Sequence, residues 1–194
     1  MRYRAMTRRA ALGRSRKPFR QGDLDGLCGI YSTVNSVRAL CPEIDNNDAS
    51  YLFDHLIQQL PVAGANAPVA IANGIGTGEL GRLLARAVRY VAAEHDIALG
   101  VARLPKALRG TADIKRLWSA LADAVSPTCV AVIGLSGKHD HWTVAAQVTP
   151  EQMYLYDSGE MSLLRRRHCT LRKSHKRTSI GAAHIFLIKR TDAE

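Results

Sequence analysis

The stretch QGDLDGLCGIYS, residues 21–32, decides which fold we expect for this chain. Two glycines flank Cys28, and apolar residues recur at helical spacing after it, which predicts a helix that begins at the cysteine. The positive end of a helix favours the thiolate form of a thiol, and the thiolate is the nucleophilic form. Cys28 is therefore a candidate nucleophile, although a free cysteine is more often a small apolar core residue.

A nucleophilic cysteine requires a nearby base and a third group that orients the base. His141 is the better candidate base, because it leads directly into the apolar segment HWTVAAQV, residues 141–148, which we predict to be a strand. His139 competes for this role from two residues earlier. It lies in a stretch that is typical of a loop, so we expect it to be held less firmly than His141.

Asp157 is the candidate orienting group, at the end of a predicted strand over residues 153–157. A hairpin centred near Thr149 places residues 141 and 157 opposite each other, because each lies eight positions from 149. A register shift of two residues leaves them diagonal neighbours on one face, whereas a shift of one residue puts them on opposite faces. Taken alone, Asp157 also fits an ordinary turn over residues 157–159.

Gln21 is the candidate for the fourth part of the site, seven residues before Cys28. Its side-chain amide and the backbone N–H of Cys28 together provide the donors that a developing oxyanion requires. The alternative is an ordinary polar loop residue, and Gln21 gains meaning only if Cys28 is the nucleophile.

Three segments of the chain resemble papain-like cysteine peptidases, and most of all the compact bacterial peptidases that process double-glycine leader peptides. These segments are residues 21–32, 141–144 and 154–158. The order Gln, Cys, His, Asp is the order found in that superfamily, and the resemblance covers roughly residues 21–189. It implies no cofactor and no metal, and it implies one role for each site residue: Gln21 as oxyanion donor, Cys28 as nucleophile, His141 as general base and acid, and Asp157 as orienting residue.

Helical periodicity dominates the first part of the chain and strand patterns dominate the last part, which predicts an α+β fold. The resemblance to the papain-like fold implies that the nucleophile begins an N-terminal helix and that the helices pack on a C-terminal antiparallel sheet. We predict helices that begin at Cys28 and that are capped by Asp48, Thr77 and Thr111. We predict a loop over residues 61–76 and strands over residues 97–104, 128–135, 141–148, 153–157 and 184–189.

The net charge of +10 is concentrated in two segments. Residues 1–20 hold eight cations from Arg2 to Arg20 and no acid, and we predict a flexible basic arm there, before a catalytic domain over residues 21–194. Residues 165–177 hold seven cations from Arg165 to Arg177 and no acid. Both segments suit an anionic partner, but a solvated arm and a solvated loop explain them equally simply.

The four cysteines have spacings that match neither a zinc site nor a disulfide framework, so we expect reduced thiols, a cytoplasmic protein and no bound metal. No apolar run reaches the roughly 18 residues of a membrane span. The predicted function is a cysteine peptidase that cleaves a peptide or isopeptide bond in a protein or peptide substrate. An acyltransferase or amidase with the same triad is the first alternative, and a non-catalytic module for an anionic partner is the second. The cations are not interleaved with aromatic residues, which disfavours nucleic acid as that partner.

Overall fold

Helices come first and antiparallel strands come last in the computed structural model, which describes residues 17–21 and 25–192. The predicted α+β fold is confirmed, and the helices pack on a C-terminal sheet as expected. The helices are α1 (Cys28–Leu40), α2 (Asn46–Gln58), α3 (Ala67–Asn73), α4 (Thr77–His95), α5 (Lys106–Arg109) and α6 (Ile114–Ala124). The strands are β1 (Leu99–Arg103), β2 (Cys129–Gly137), β3 (His141–Val148), β4 (Gln152–Leu155), β5 (Leu163–Arg165), β6 (Cys169–Thr170) and β7 (Thr178–Arg190).

The sheet has the strand order β1-β7-β2-β3-β4-β5, and each neighbouring pair in it is antiparallel. The short strand β6 lies off this path and pairs in parallel with β7. The strand that begins with His141 is therefore an inner strand, held by β2 on one side and by β4 on the other. An inner strand is fixed along both edges, so the residue that opens it has a defined position.

Both faces of the sheet are covered, which explains why β2 is an unbroken apolar run rather than an alternating one. Val130 and Val132 face a core that is formed with α1, α2 and α4. Ala131 and Ile133 face a second core, to which α6 contributes Leu117, Trp118 and Leu121. The larger of the two cores contains Cys28. The helix that carries this candidate nucleophile, α1, packs against β2, β3 and β7.

Local capping differs from the prediction at three helices. Asp45, not Asp48, caps α2: its carboxylate accepts from the N–H groups of residues 47 and 48, and Asp48 bonds back to the N–H of Asp45. Gly76 occupies the N-cap position of α4, and Asp113 caps α6. In each case the observed N-cap residue lies one to three positions from the predicted one.

The prediction of a loop over residues 61–76 was wrong for its middle part, where α3 lies. The side chain of Asn66 caps this helix by accepting from the N–H of Val69 at 3.2 Å, and Pro68 lies in the first turn, where a missing N–H costs nothing. Asn66 and Pro68 are therefore signals of a helix start and not of a loop.

The structure describes the end of the first basic segment and all of the second. Residues 1–16 of the predicted arm lie outside the described residues, and the last part of the arm packs along α1, where Arg38 donates to the carbonyl of Lys17 at 3.0 Å. Residues 165–170 form the end of β5, a 3₁₀ turn (Arg166–His168) and β6, and residues 171–177 form an irregular loop that leads to β7. None of the helices in the described part of the chain is long and apolar enough to cross a membrane.

Candidate active site

Cys28 is the first residue of α1 and lies in the wall of a cleft of about 400 Å³. As the first helical residue, its N–H has no partner within the helix. The turn before it is held by Asp25, whose carboxylate accepts from the N–H of Leu27 at 3.0 Å. Gly26 passes so close to the opposite wall that a Cβ there would lie 2.6 Å from the backbone nitrogen of Gly74, so only glycine fits. The segment that leads to Cys28 therefore packs directly against residues 73–74, which line the same cleft.

His141 and Asp157 form a buried pair. The imidazole Nε2 lies 2.8 Å from Oδ1 of Asp157, and the exposed fractions of the two side chains are 14 % and 1 %. The second carboxylate oxygen accepts from the backbone N–H groups of Gly159 at 2.8 Å and Met161 at 3.0 Å. With these three partners the carboxylate has little freedom to turn, so it fixes the plane of the imidazole.

A bulge in β3 places Asp157 on the same face as His141. At the turn, Val148 pairs with Met153 and Gln147 pairs with Tyr154. If this register continued along both strands, residues 141 and 157 would lie on opposite faces of the sheet. The register shifts between Ala145 and Gln147, so that Ala145 pairs with Leu155. β3 therefore contains one extra residue at this point. As a result, residues 141 and 157 are diagonal neighbours on one face, which is the arrangement expected for a register shift of two residues.

The imidazole of His141 lines the same cleft as the thiol of Cys28. Since Nε2 is taken by Asp157, the other ring nitrogen, Nδ1, is the one left for the thiol. Burial acts to lower the pKa of His141, but the interactions with Asp157 and Cys28 outweigh burial and raise this pKa to about 9. The imidazole is therefore a cation at neutral pH and stands beside the candidate nucleophile.

Asp157 supplies the negative charge that balances this cation. Burial acts to raise the pKa of Asp157, but the hydrogen bond with His141, the charge of His141 and the N–H of Met161 outweigh it and hold the pKa below its ordinary value. A carboxylate, an imidazolium and a thiol thus stand in series. This is the electrostatic arrangement that stabilises a thiolate, because the cation lies between the two groups that carry negative charge.

Gln21 lines the same cleft as Cys28 and His141. Its backbone N–H donates to the carbonyl of Ser158 at 3.0 Å, which ties it to the residue after Asp157. Its side-chain amide donates to the carbonyl of Asp25. A primary amide has two N–H donors, so this bond leaves one for a ligand.

Two buried polar residues of α1 that the sequence analysis did not select position the site. Ser32, one turn after Cys28, donates through Oγ to the carbonyl of Trp142 at 2.8 Å and so joins the helix to the strand of His141. Asn35 exchanges two hydrogen bonds with the backbone of Phe19, at 3.0 and 3.1 Å, two residues before Gln21. The available signal was a run of polar residues on the buried side of a predicted helix: Ser32, Thr33, Asn35 and Ser36.

The remaining candidates do not join the series. His139 does not line the cleft that contains Cys28 and lines a different pocket. The other three cysteines are buried and free, and burial raises the pKa of Cys41 to about 12 and that of Cys169 to about 11. Within residues 17–21 and 25–192, no three His, Cys, Asp or Glu side chains are placed to hold a metal ion.

No family model and no curated protein matches the chain. Among solved structures, the chain is similar to a double glycine motif protease from an AMS/PCAT transporter, which was crystallised in complex with the leader peptide. The TM-score is 0.46 and the sequence identity is 12 %, and the match covers 92 % of this chain and 95 % of that chain. That protein is of the kind that the motifs of this chain resemble. The chemistry of the chain is inferred below from its own residues.

Proposed function

We propose that the chain is a cysteine peptidase that hydrolyses a peptide or isopeptide bond in a protein or peptide substrate. The observation that carries this proposal is that Cys28 and His141 line one cleft, with His141 held by a buried hydrogen bond to Asp157. Nucleophile, base and orienting group are the three parts of a covalent hydrolase. The roles assigned to these residues are those that the papain-like resemblance implies.

In the first half of the reaction, the Cys28 thiolate attacks the carbonyl carbon of the scissile bond and a C–S bond forms. The carbonyl oxygen becomes an oxyanion and accepts hydrogen bonds from the backbone N–H of Cys28 and from the free amide hydrogen of Gln21. The His141 imidazolium then gives its proton to the leaving amine, and the C–N bond breaks. The product is a thioester on Cys28 and a free amine.

In the second half, neutral His141 takes a proton from a water molecule, and the resulting hydroxide attacks the thioester carbonyl. The C–S bond breaks, the acid product leaves, and the thiolate–imidazolium pair is restored. Asp157 holds His141 in one orientation through both halves and balances the charge of the imidazolium. An amine in place of water gives transfer instead of hydrolysis, so the acceptor distinguishes a peptidase from an acyltransferase.

Labelling with iodoacetamide across pH, read by mass spectrometry at each cysteine, tests the nucleophile. We expect Cys28 to label at pH 6 on the order of 100-fold faster in the wild type than in His141→Ala, because an ordinary thiol is almost fully protonated at that pH. Cys41, Cys129 and Cys169 are internal controls, since burial raises the pKa of each. The Cys28→Ser variant should lose the fast label entirely.

Equal labelling of Cys28 in the wild type and in His141→Ala would sink the proposal, because the thiol would then be independent of the proposed base. If the fast label is present, a randomised peptide library with water or hydroxylamine as acceptor separates hydrolysis from transfer. A peptidase should give mainly free acids, and an acyltransferase mainly hydroxamates.

A further inference from the structure

A second pocket, of about 440 Å³, is lined in part by the loop of residues 138–140, which leads to His141. We call it the basic pocket, because its lining includes five lysine or arginine residues and two histidines: Lys138, His139, Arg165, Arg167, His168, Lys176 and Arg177. No aspartate or glutamate is among the described residues that line it. Apolar side chains form its floor: Met161, Leu163 and Leu164.

No lysine or arginine that lines the basic pocket forms a salt bridge with a carboxylate of the described residues. Glu151 and Glu160 lie on the adjoining loops, but each pairs with an arginine outside the pocket, Arg166 and Arg20 respectively. Within the described part of the chain, Arg166 is the only residue of the 165–177 segment that pairs with a carboxylate. Like charges gathered in a concave surface give a strong local potential for an anion.

The shape of the basic pocket is fixed by hydrogen bonds rather than left to a solvated loop. The guanidinium of Arg177 donates to the carbonyls of Arg167 and Cys169, at 2.7 Å each. Ser179 donates to the carbonyl of Arg172 at 2.9 Å. Because Arg177 uses backbone carbonyls as partners, it holds the segment in place and keeps its positive charge. A preformed site loses less entropy on binding than a mobile one.

The basic pocket shares two structural parts with the candidate active site. His139, which lines the pocket, lies two residues before His141, so the chain between them spans at most about 7 Å. Met161, which also lines the pocket, donates its backbone N–H to the carboxylate of Asp157 at 3.0 Å. Burial, then the charges of Lys138 and His141, lower the pKa of His139, which agrees with this proximity.

The chemistry of the proposed reaction says which part of a substrate reaches this pocket. His141 protonates the leaving amine, so the chain on the C-terminal side of the scissile bond begins against His141. The loops next to His141 and Asp157 are the walls of the basic pocket. We propose that the basic pocket binds an acidic segment of the substrate that lies within a few residues on the C-terminal side of the scissile bond. This inference rests on the proposed peptidase function.

A peptide suits the basic pocket better than a nucleic acid does. No Phe, Tyr or Trp is among its described lining residues, so it lacks the large aromatic rings on which single-stranded bases stack. Its apolar floor fits the aliphatic part of peptide side chains. Carboxylates are the natural partners of the arginine and lysine side chains at its rim.

A binding measurement tests the pocket without any catalysis. The probe is a fluorescein-labelled peptide of four Glu-Gly repeats, and the protein is the full chain with Cys28→Ser, followed by anisotropy at low salt. We expect the peptide to bind at least tenfold more tightly than its Gln-Gly counterpart. The double variant Lys138→Gln, Lys176→Gln should weaken binding roughly three- to tenfold, as expected for two partly exposed ion pairs. The matched variant Arg172→Gln, Lys173→Gln removes two cations of the same segment outside the pocket and should weaken it less than twofold.

Equal weakening by the two double variants would overturn the proposal, because binding would then follow net charge alone. Tighter binding of an eight-residue oligothymidylate, with the same dependence on Lys138 and Lys176, would overturn it in favour of a nucleic-acid surface. Matching melting temperatures for the variants exclude unfolding as the cause of weaker binding.

A cleavage measurement tests the placement relative to the scissile bond. With a randomised peptide library and the wild type, Asp and Glu should be enriched within four residues after the cleaved bond. The enrichment should disappear in the Lys138, Lys176 variant and persist in the Arg172, Lys173 variant. Enrichment before the cleaved bond, or none, overturns the placement. Pocket-dependent binding of the Glu-Gly peptide, without cleavage and without fast labelling of Cys28, would remove the proposed function and retain the pocket as a site for acidic peptides.

Discussion

The two walls of the cleft reach their positions by different means. Cys28 is placed by the start of α1, a local feature that a few neighbouring residues determine. His141 and Asp157 are placed by the pairing of β3 and β4, which depends on the turn and on the bulge at residues 145–147. A helix start tolerates changes elsewhere in the chain, whereas a strand register changes sides with a shift of one residue. The strand side is therefore the more easily broken half of the site.

The change with the largest expected effect is Asp157→Ala, which damages the strand side alone. It removes an acceptor that serves His141, Gly159 and Met161 and leaves a buried imidazole without its counter-charge. We expect the free energy of unfolding to fall by about 3–5 kcal/mol, as for other broken buried pairs. Urea denaturation measures this. A loss below about 1 kcal/mol would mean that the pair does not hold the two strands together.

The second expected effect concerns the titration of His141. Its pKa in the folded chain, about 9, lies above the ordinary value of 6.5, so its charged form stabilises the fold fully below pH 6.5. This contribution is lost as the pH rises through about 9. In Asp157→Asn the pKa of His141 should drop markedly, because the carboxylate that raises it is gone and burial lowers it. The histidine Cε1–H resonances, followed by NMR from pH 5 to 10, measure this.

His139 is the internal control in that titration. Burial and the charges of Lys138 and His141 lower its pKa, so it should titrate below pH 6.5 in the wild type. Were His141 to titrate together with His139, the two histidines would not differ in environment and the preference for His141 would lose its physical basis.

The sequence analysis selected the candidate residues that the structure brings close together, but it did not predict the bulge that places them. The order of elements, the helix at Cys28 and the strands at His141 and Asp157 followed from local periodicity. The hairpin was predicted with a regular ladder, and the register at the turn is in fact odd. The bulge that corrects it leaves no local signature in an apolar stretch such as residues 144–146. Likewise, the order of the basic segment at 165–177 comes from bonds of the Arg177 guanidinium to carbonyls eight and ten residues earlier, which neither helical nor strand periodicity reveals.

A smaller effect is expected at the junction of the two walls. Ser32→Ala removes the hydrogen bond to the carbonyl of Trp142 and should lower the free energy of unfolding by about 1–2 kcal/mol, with several-fold slower labelling of Cys28. Ser36→Ala is the matched control, because Ser36 lies in the same helix, is equally buried and bonds within the helix to the carbonyl of Thr33. It should change stability without changing the rate of labelling. Equal labelling rates in the two variants would show that the Ser32 bond does not align the walls.

The smallest effect is expected for Gly159→Ala. A Cβ at this position would lie 3.3 Å from Oδ2 of Asp157 and 3.4 Å from Cε1 of His141, which is tight contact on the edge of the pair. We expect a loss of stability below about 1 kcal/mol and a labelling rate lower by a few-fold. Gly110→Ala is the control, since its Cβ would meet nothing closer than 4.0 Å. If Gly159→Ala, like Gly110→Ala, left the rate of Cys28 labelling unaltered, the His141–Asp157 pair would not be as tightly packed as the distances at Gly159 indicate.

The two hydrogen bonds between Asn35 and the backbone of Phe19 have a consequence for control of the cleft. Such bonds contribute about 1 kcal/mol each, far less than the packing of the two cores. The same strip is also held by the bonds of Arg38 to the carbonyl of Lys17 and of Gln21 to the carbonyl of Ser158. These bonds are few compared with the contacts of α1 and the sheet, so we expect a lower free energy of local opening for the strip than for the rest of the fold. On the proposed mechanism the strip is a latch, because Gln21 can serve as oxyanion donor only while the strip is closed.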